Sequence, residues 1–369
     1  MKNINTKTNT KIATAILLSL GISACNVQVN VDGETVADFN VTKTGVVSNK
    51  DGKLTVNGTT INAENAKVVV DGVETDSASL KEGMVVSVIG TESPDGTANA
   101  TQIIYNDDVE GIVLDNSVTT GYNGTLNVLG QAVKADANTV FESYDVSDLS
   151  ISDIDKGNIV EVSGYSSGNG EILATRIEVK NTQYNVGEEI ELKGIVTGLT
   201  GSTFKIGELN INLETASLDA DFMGTLQNGQ YVEVSSYEGF DNNGNLIASE
   251  IDLKSEGSKE ISHSENDGRV EIKGAITKGL NVNKLEINGY SVLVADNLSL
   301  NSGFINALSK GIIVEAEGYI NIDGQFVATK LEIENESDSN SEKGGDSDSG
   351  SEKDTNETES SEENEDHDD

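Results

Sequence analysis

One turn-and-strand pattern occurs four times in this chain, and it limits the possible folds more than any other feature. It reads LKEGMVVSVIG from Leu80, IDKGNIVEVSG from Ile154, LQNGQYVEVSS from Leu226 and LSKGIIVEAEG from Leu308. Gly83, Gly157, Gly229 and Gly311 hold the same place in each. An aliphatic residue followed three places on by Gly marks the end of a short helical turn, where Gly takes the positive φ that a Cβ would oppose. The residues that follow alternate: Val160 and Val162 on one side, Glu161 and Ser163 on the other. Val232 and Val234 repeat this around Glu233. Period-two alternation with one polar face predicts a half-buried antiparallel strand.

A second shared piece follows each time: ANATQII, ILATRIEV, LIASEIDL and FVATKLEI. Between the two lie Asp95-Gly96, Asn169-Gly170, Asn243-Gly244 and Asp323-Gly324, dipeptides that favour tight hairpins. Each copy opens alike, around Gly45-Val46-Val47, Gly111-Ile112-Val113, Gly194-Ile195-Val196 and Gly274-Ala275-Ile276. The spacing is a tandem repeat of roughly 65 to 80 residues. It predicts an all-β chain of small antiparallel barrels, five to six strands each. A short helix precedes the shared Gly in each copy, with candidates in LNSGFINALSKG from Leu300 and DADFMGTLQNG from Asp219. Closure into barrels removes exposed strand edges; an open sandwich is the alternative. Copies this small sit near the lower limit for an independent core, so neighbours are expected to lean on one another. The copies are placed at 44–106, 110–181, 190–254 and 268–334, with polar connectors at 182–189 and 255–267.

The order Gly-Ile-Val, Val-Asn-Gly, Leu-x-x-Gly-x-x-Val-x-Val-x-Gly-Tyr, Asn-Gly and Ala-Thr-x-Ile resembles the bacterial domain-of-unknown-function family 5666. The resemblance covers about residues 44 to 334 and implies tandem OB-like barrels in an exported protein. It carries structural residues only, so it implies no catalytic residue. The first copy departs from it, with Thr91 where the others have Tyr165, Tyr237 and Tyr319.

The start of the chain gives an address. Lys2, Lys7 and Lys11 stand without an acid before the apolar stretch Ile12 to Ile22, which is too short to span a bilayer. This pattern predicts a secretory signal over residues 1–24. Ile22, Ser23 and Ala24 before Cys25, the single cysteine of the chain, resemble the bacterial lipobox. The resemblance implies a diacylglyceryl group on the Cys25 thiol, cleavage before Cys25 and a lipidated tether over 25–43. Two or three acyl chains hold a protein to a membrane where one does not. Asn26, rather than Asp, after the cysteine implies sorting to the outer membrane of a Gram-negative bacterium. An ordinary signal peptide with an unmodified Cys is the alternative.

Charge removes some functions. A net −39 repels nucleic acid and anionic lipid headgroups, so no nucleic-acid partner is expected. Residues 335–369 carry 15 acids against Lys343 and Lys353 and no apolar side chain, so a disordered acidic tail is expected. It reads as a solubilising brush, or as a weak trap for divalent cations or a basic partner. His263 and His367, the two histidines, fall in a connector and in the tail, which takes the commonest general base away from the barrels. The chain is therefore read as no enzyme, with no cofactor and no metal ligands. The loop FDNNGNLIASEID, 240 to 252, has acids and Gly at spacings that do not fit an EF-hand, and reads as a hairpin turn. Weak Ca²⁺ association with the whole acidic surface remains an expectation.

Tyr165, Tyr237 and Tyr319 are the candidate ligand contacts. Each shares strand parity with a Glu four residues earlier, Glu161, Glu233 and Glu315, which places them on the polar face. A Tyr capping the barrel end is the competing reading. Three functions follow from this. The favoured one is a non-catalytic envelope lipoprotein, a tandem-barrel spacer or scaffold for an envelope protein partner. The others are a periplasmic or surface module binding a glycan or divalent cation, and a carboxylate-based hydrolase. Matching exposed Tyr on every copy would favour ligand binding; exteriors that differ over like cores would favour the scaffold.

Overall fold

A computed structural model describes residues 38–334, apart from 51, 144–146, 169, 219–223, 256–260 and 262–267. The signal, Cys25, the tether to residue 37, the acidic tail, both histidines and the opening of the helix candidate at Asp219 lie outside the described residues.

Copy 1 closes a ring from Phe39–Lys50, Lys53–Val56, Thr59–Asn62, Val85–Glu92 and Ala98–Tyr105. Around the ring the first strand pairs with the second, the second with the third, the third with the fifth, the fifth with the fourth, and the fourth with the first. Copy 2 follows the same circuit with Val109–Asn116, Gly124–Val128, Gln131–Ala135, Ile159–Gly168 and Glu171–Asn181. So does copy 4, with Arg269–Asn281, Lys284–Ile287, Tyr290–Val294, Ile313–Ile320 and Phe326–Ile333. In copy 3 the first strand is split into Ile190–Ile195 and Thr197–Thr200, and the fifth into Leu246–Ile247 and Glu250–Ser255. With Thr203–Ile206, Leu209–Asn212 and Tyr231–Ser236 they keep the same order.

The rings are not wholly antiparallel, as the alternation had suggested. In every copy the third and fifth strands run parallel. A closed circuit of five strands cannot alternate direction all the way round, so one pair must be parallel. Copies 1, 2 and 3 add a further parallel strand on the fifth: Lys67–Val70, Val140–Ser143 and Ser217–Leu218. Copy 1 extends this with Val73–Thr75 into a hairpin whose tip is Asp71-Gly72. The expected tether is shortened, because Phe39–Lys43 already belong to the first ring strand. Among the described residues the expected helix forms as an α-helix only in copy 4, at Ser302–Ala307. Copies 1 and 2 have single 3-10 turns, Ser77–Ser79 and Ile151–Asp153.

The shared Gly has one structural job. Gly83, Gly157, Gly229 and Gly311 sit at φ between +86° and +97°. Their N–H groups donate to the carbonyls of Val47, Val113, Val196 and Ile276, at the point where the first ring strand leaves the fourth for the second. The N–H groups of those four residues donate back to Met84, Asn158, Gln230 and Ile312. This two-bond clasp bends the first strand across the barrel in all four copies. The alternating Val160, Val162, Val232 and Val234 are fully buried, as expected.

The described residues from Asp38 onward form one compact unit. Copies 1 and 4 join edge to edge, Val41–Thr44 running parallel to Arg269–Ile272. Copies 2 and 3 join antiparallel, Val109 and Glu110 opposite Leu192 and Glu191, and share a continuous hydrophobic core. Copy 2 also seats on copy 1: the Val85 N–H donates to Ser163 Oγ at 2.8 Å, and Thr175 Oγ1 to the Gly83 carbonyl at 2.6 Å. It meets copy 4 where the Ser166 N–H donates to Asn288 Oδ1 at 2.7 Å. Among the described residues no helix is long and apolar enough to cross a membrane.

Candidate functional site

The polar faces of the first and fourth ring strands were expected to meet water. They meet one another instead. One cross-strand pair recurs at the same repeat position: Thr44 opposite Ser87, Glu110 opposite Glu161, Lys193 opposite Glu233, and Lys273 opposite Glu315. Three of these pairs lie where the copies converge. Two of them, Thr44–Ser87 and Lys193–Glu233, border a cavity of about 320 Å³ that is also lined by Asp107 and Asn288, among others.

The pairs differ in chemistry. Thr44 and Ser87 share a hydroxyl hydrogen bond of 3.1 Å. Lys193 is the hub of the second set. Its Nζ donates to Asp107 Oδ1 at 2.6 Å and Glu191 Oε1 at 2.5 Å, and lies 3.1 Å from Glu233. Burial opposes its charge, but the attraction of Asp107, Glu191 and Glu233 outweighs it and holds the ammonium protonated well above the usual lysine range. Asp107, on the short link between copies 1 and 2, is 2% exposed. Burial pushes its carboxyl well up, against the pull of Lys193. Burial works the same way on Glu191, yet Lys193 prevails there and holds it below the usual range.

In copy 2 the recurring pair is two acids. Glu110 faces Glu161 on one side and Glu191 across the copy 2–3 junction on the other. Like charges directly opposite across strands are destabilising. Glu161 is satisfied from elsewhere, by the Tyr105 hydroxyl at 2.8 Å and Lys180 Nζ at 2.7 Å. Glu110 is not, and burial first, then Glu161 and Glu191, push its carboxyl to about 7 against the pull of Lys180. A carboxyl whose folded pKa exceeds its unfolded value of 4.5 contributes stability at low pH that is lost as pH rises through about 7. Glu110→Gln is therefore expected to match wild type at pH 4.5. At pH 8 it should be more stable by about 1–2 kcal/mol, allowing for solvent screening of a partly exposed group. Urea unfolding at the two pH values in chelator-treated buffer checks this; equal stability at pH 8 contradicts it.

The candidate tyrosines do not form a repeated surface. Tyr165 is 5% exposed, whereas Tyr237 and Tyr319 are 41% and 40% exposed. As an exposed ligand contact Tyr165 is thus corrected: copy 2 packs its polar face against copy 4 there, beside the Ser166–Asn288 hydrogen bond. Burial, with Glu334 and Glu315 nearby, raises its phenol far above the ordinary value. The loop at Asp241 is a hairpin turn, as read: Asp241 Oδ1 accepts from the N–H groups of Asn243 and Asn245. Sequence reasoning missed Lys193, Asp107 and Glu191. The signal present was Glu191-Leu-Lys193-Gly, a cation between strand acids in a chain with 24 cations and 63 acids.

The sequence model of a domain of unknown function, DUF5666, matches four segments, residues 44–104, 110–178, 193–252 and 273–332, which together make up more than half the chain. Each begins within the first ring strand of a barrel. No curated protein matches the chain.

Proposed function

The chain belongs to the DUF5666 family, with four tandem copies, and on that premise we propose that it is a non-catalytic scaffold of the bacterial cell envelope. In this reading acyl chains on Cys25 hold the protein at the outer membrane of a Gram-negative bacterium, and the four barrels present surfaces to an envelope protein partner. The observation that supports it is the contrast between like cores and unlike exteriors. All four copies share the five-strand circuit and the glycine clasp. Their outward positions diverge: Tyr165 is sealed, Tyr237 and Tyr319 are open, and copy 1 carries Thr91. A repeated ligand surface needs the same side chains exposed on each copy. A scaffold needs only the same core. The OB-like description of each barrel belongs to the same proposal, supported by the five-strand circuit with its single parallel closure.

Cys25→Ala tests the anchor. It is expected to abolish fatty-acid labelling and move the protein out of the membrane fraction. An unchanged membrane fraction refutes the anchor. Cross-linking in the native envelope is expected to capture a protein neighbour through the barrels, and capture of lipid alone contradicts the scaffold.

A further inference from the structure

The hub around Lys193 carries more negative charge than that one cation offsets. Asp71, Asp107 and Glu191 each bring a carboxylate oxygen to within 4.8 Å of the other two. Against three carboxylates stands the Lys193 ammonium, leaving a formal excess of two negative charges. A second observation is independent of the clustering. Oδ2 of Asp107 is out of contact with solvent and accepts no hydrogen bond, although its residue is 2% exposed. Lys193 is committed to the other oxygen, Oδ1. The Asp107 N–H donates to Asp71 Oδ1 at 2.9 Å, which fixes the two carboxylates side by side. A buried, orphaned carboxylate oxygen beside two more carboxylates calls for a positive partner.

We propose that Asp71, Asp107 and Glu191 bind one divalent cation of the hard, oxygen-seeking class, with Ca²⁺ the best fit. Oxygens spaced up to 4.8 Å apart accommodate one ion at Ca²⁺–oxygen distances of about 2.4 Å. An all-carboxylate set without His or Cys excludes the soft transition metals. Asp71 is exposed, so the ion has an entry path and room for water ligands. The three ligands come from three places: the hairpin tip found only in copy 1 among the described residues, the link before copy 2, and the first strand of copy 3. The site exists only when the copies are assembled, so the ion acts as a staple between them. It is distinct from diffuse attraction to the acidic tail.

Tyr-sensitised Tb³⁺ luminescence on the full mature chain tests this, with Ca²⁺ as competitor. Tyr105 is bonded to Glu161 in the same cluster, whereas the tail after residue 334 has no aromatic residue, so tail-bound Tb³⁺ is silent. A saturable signal from one ion per chain, displaced by Ca²⁺, is expected. Asp107→Asn and Asp71→Asn should each raise the Ca²⁺ needed by about tenfold or more, as loss of a charged ligand does. The Asp71→Asn side chain retains an Oδ1 that can accept from the Asp107 N–H, so this variant remains informative if Asp107→Asn fails to fold. Absence of a saturable signal overturns the proposal and leaves a shared proton as the partner of Asp107. A signal that both folded variants retain at wild-type strength overturns it too, placing the ion elsewhere.

Discussion

Lys193→Met is expected to cost the folded protein about 3–5 kcal/mol, the range for removing one partner of a buried ion pair. The side chain satisfies Asp107 and Glu191 directly and lies 3.1 Å from Glu233. Without it, three carboxylates at the copy 2–3 junction face one another with Glu110 beside them. Met fills a similar volume, so the loss is electrostatic rather than a cavity. The repeat supplies the control. Lys273 holds the equivalent position in copy 4, but its partner is the half-exposed Glu334 at 2.5 Å. Lys273→Met should cost less than about 1 kcal/mol, as exposed pairs do. Urea unfolding of both variants, followed by circular dichroism in chelator-containing buffer, gives the comparison. Equal losses would show that the junction charges are not buried as described.

Gly83→Ala and Gly157→Ala should likewise diverge, though the two glycines are repeat equivalents with φ of +87° and +97°. Forcing an L-residue into that region costs roughly 1–2 kcal/mol at either site. At Gly157 nothing lies within 4 Å of the added methyl, so strain is the whole effect. At Gly83 the methyl would lie 2.6 Å from the Thr175 carbonyl oxygen and 2.9 Å from Arg176 Cβ. Backbone cannot swing aside. Copy 2 must back away from copy 1, lengthening the Thr175–Gly83 and Val85–Ser163 hydrogen bonds. Overpacking of this kind adds about 1–3 kcal/mol, so a total of about 2–5 kcal/mol is expected for Gly83→Ala. Thermal melts of the two variants, with wild type alongside, decide the matter. A Gly83 variant no worse than the Gly157 variant removes the copy 1–2 contact from the account.

Much of each barrel was legible in the chain, because its cause is local. Gly at a fixed offset after an aliphatic residue requires a positive-φ turn, and it has one in all four copies. Val160-x-Val162 and Val232-x-Val234 point inward because side chains alternate along a strand. Asp95-Gly96 and Asp323-Gly324 turn the fourth strand into the fifth, with both glycines at positive φ. The helix was overdrawn. NSGFINA forms one in copy 4, capped by Asn301 at the Phe304 N–H. The matching stretches of copies 1 and 2 contribute single 3-10 turns, too short to bury a face. The candidate site was legible only as scattered polar residues. Tyr165 and Tyr237 stand at the same repeat position, yet one is sealed and the other open.

By itself, the order of residues determined the repeat, the inward face of the ring strand after each shared Gly and the turn at that Gly. Each of those depends on residues a few places apart. Only the tertiary structure decided what the outward faces touch. Alternation marks a face as polar in the same way whether it meets water or another polar face. Lys43 and Glu271 form a buried ion pair across 228 residues of chain, and Lys193 reaches Asp107 across 86. Such pairs depend on which barrel edges dock, a choice made by shape and charge summed over whole copies.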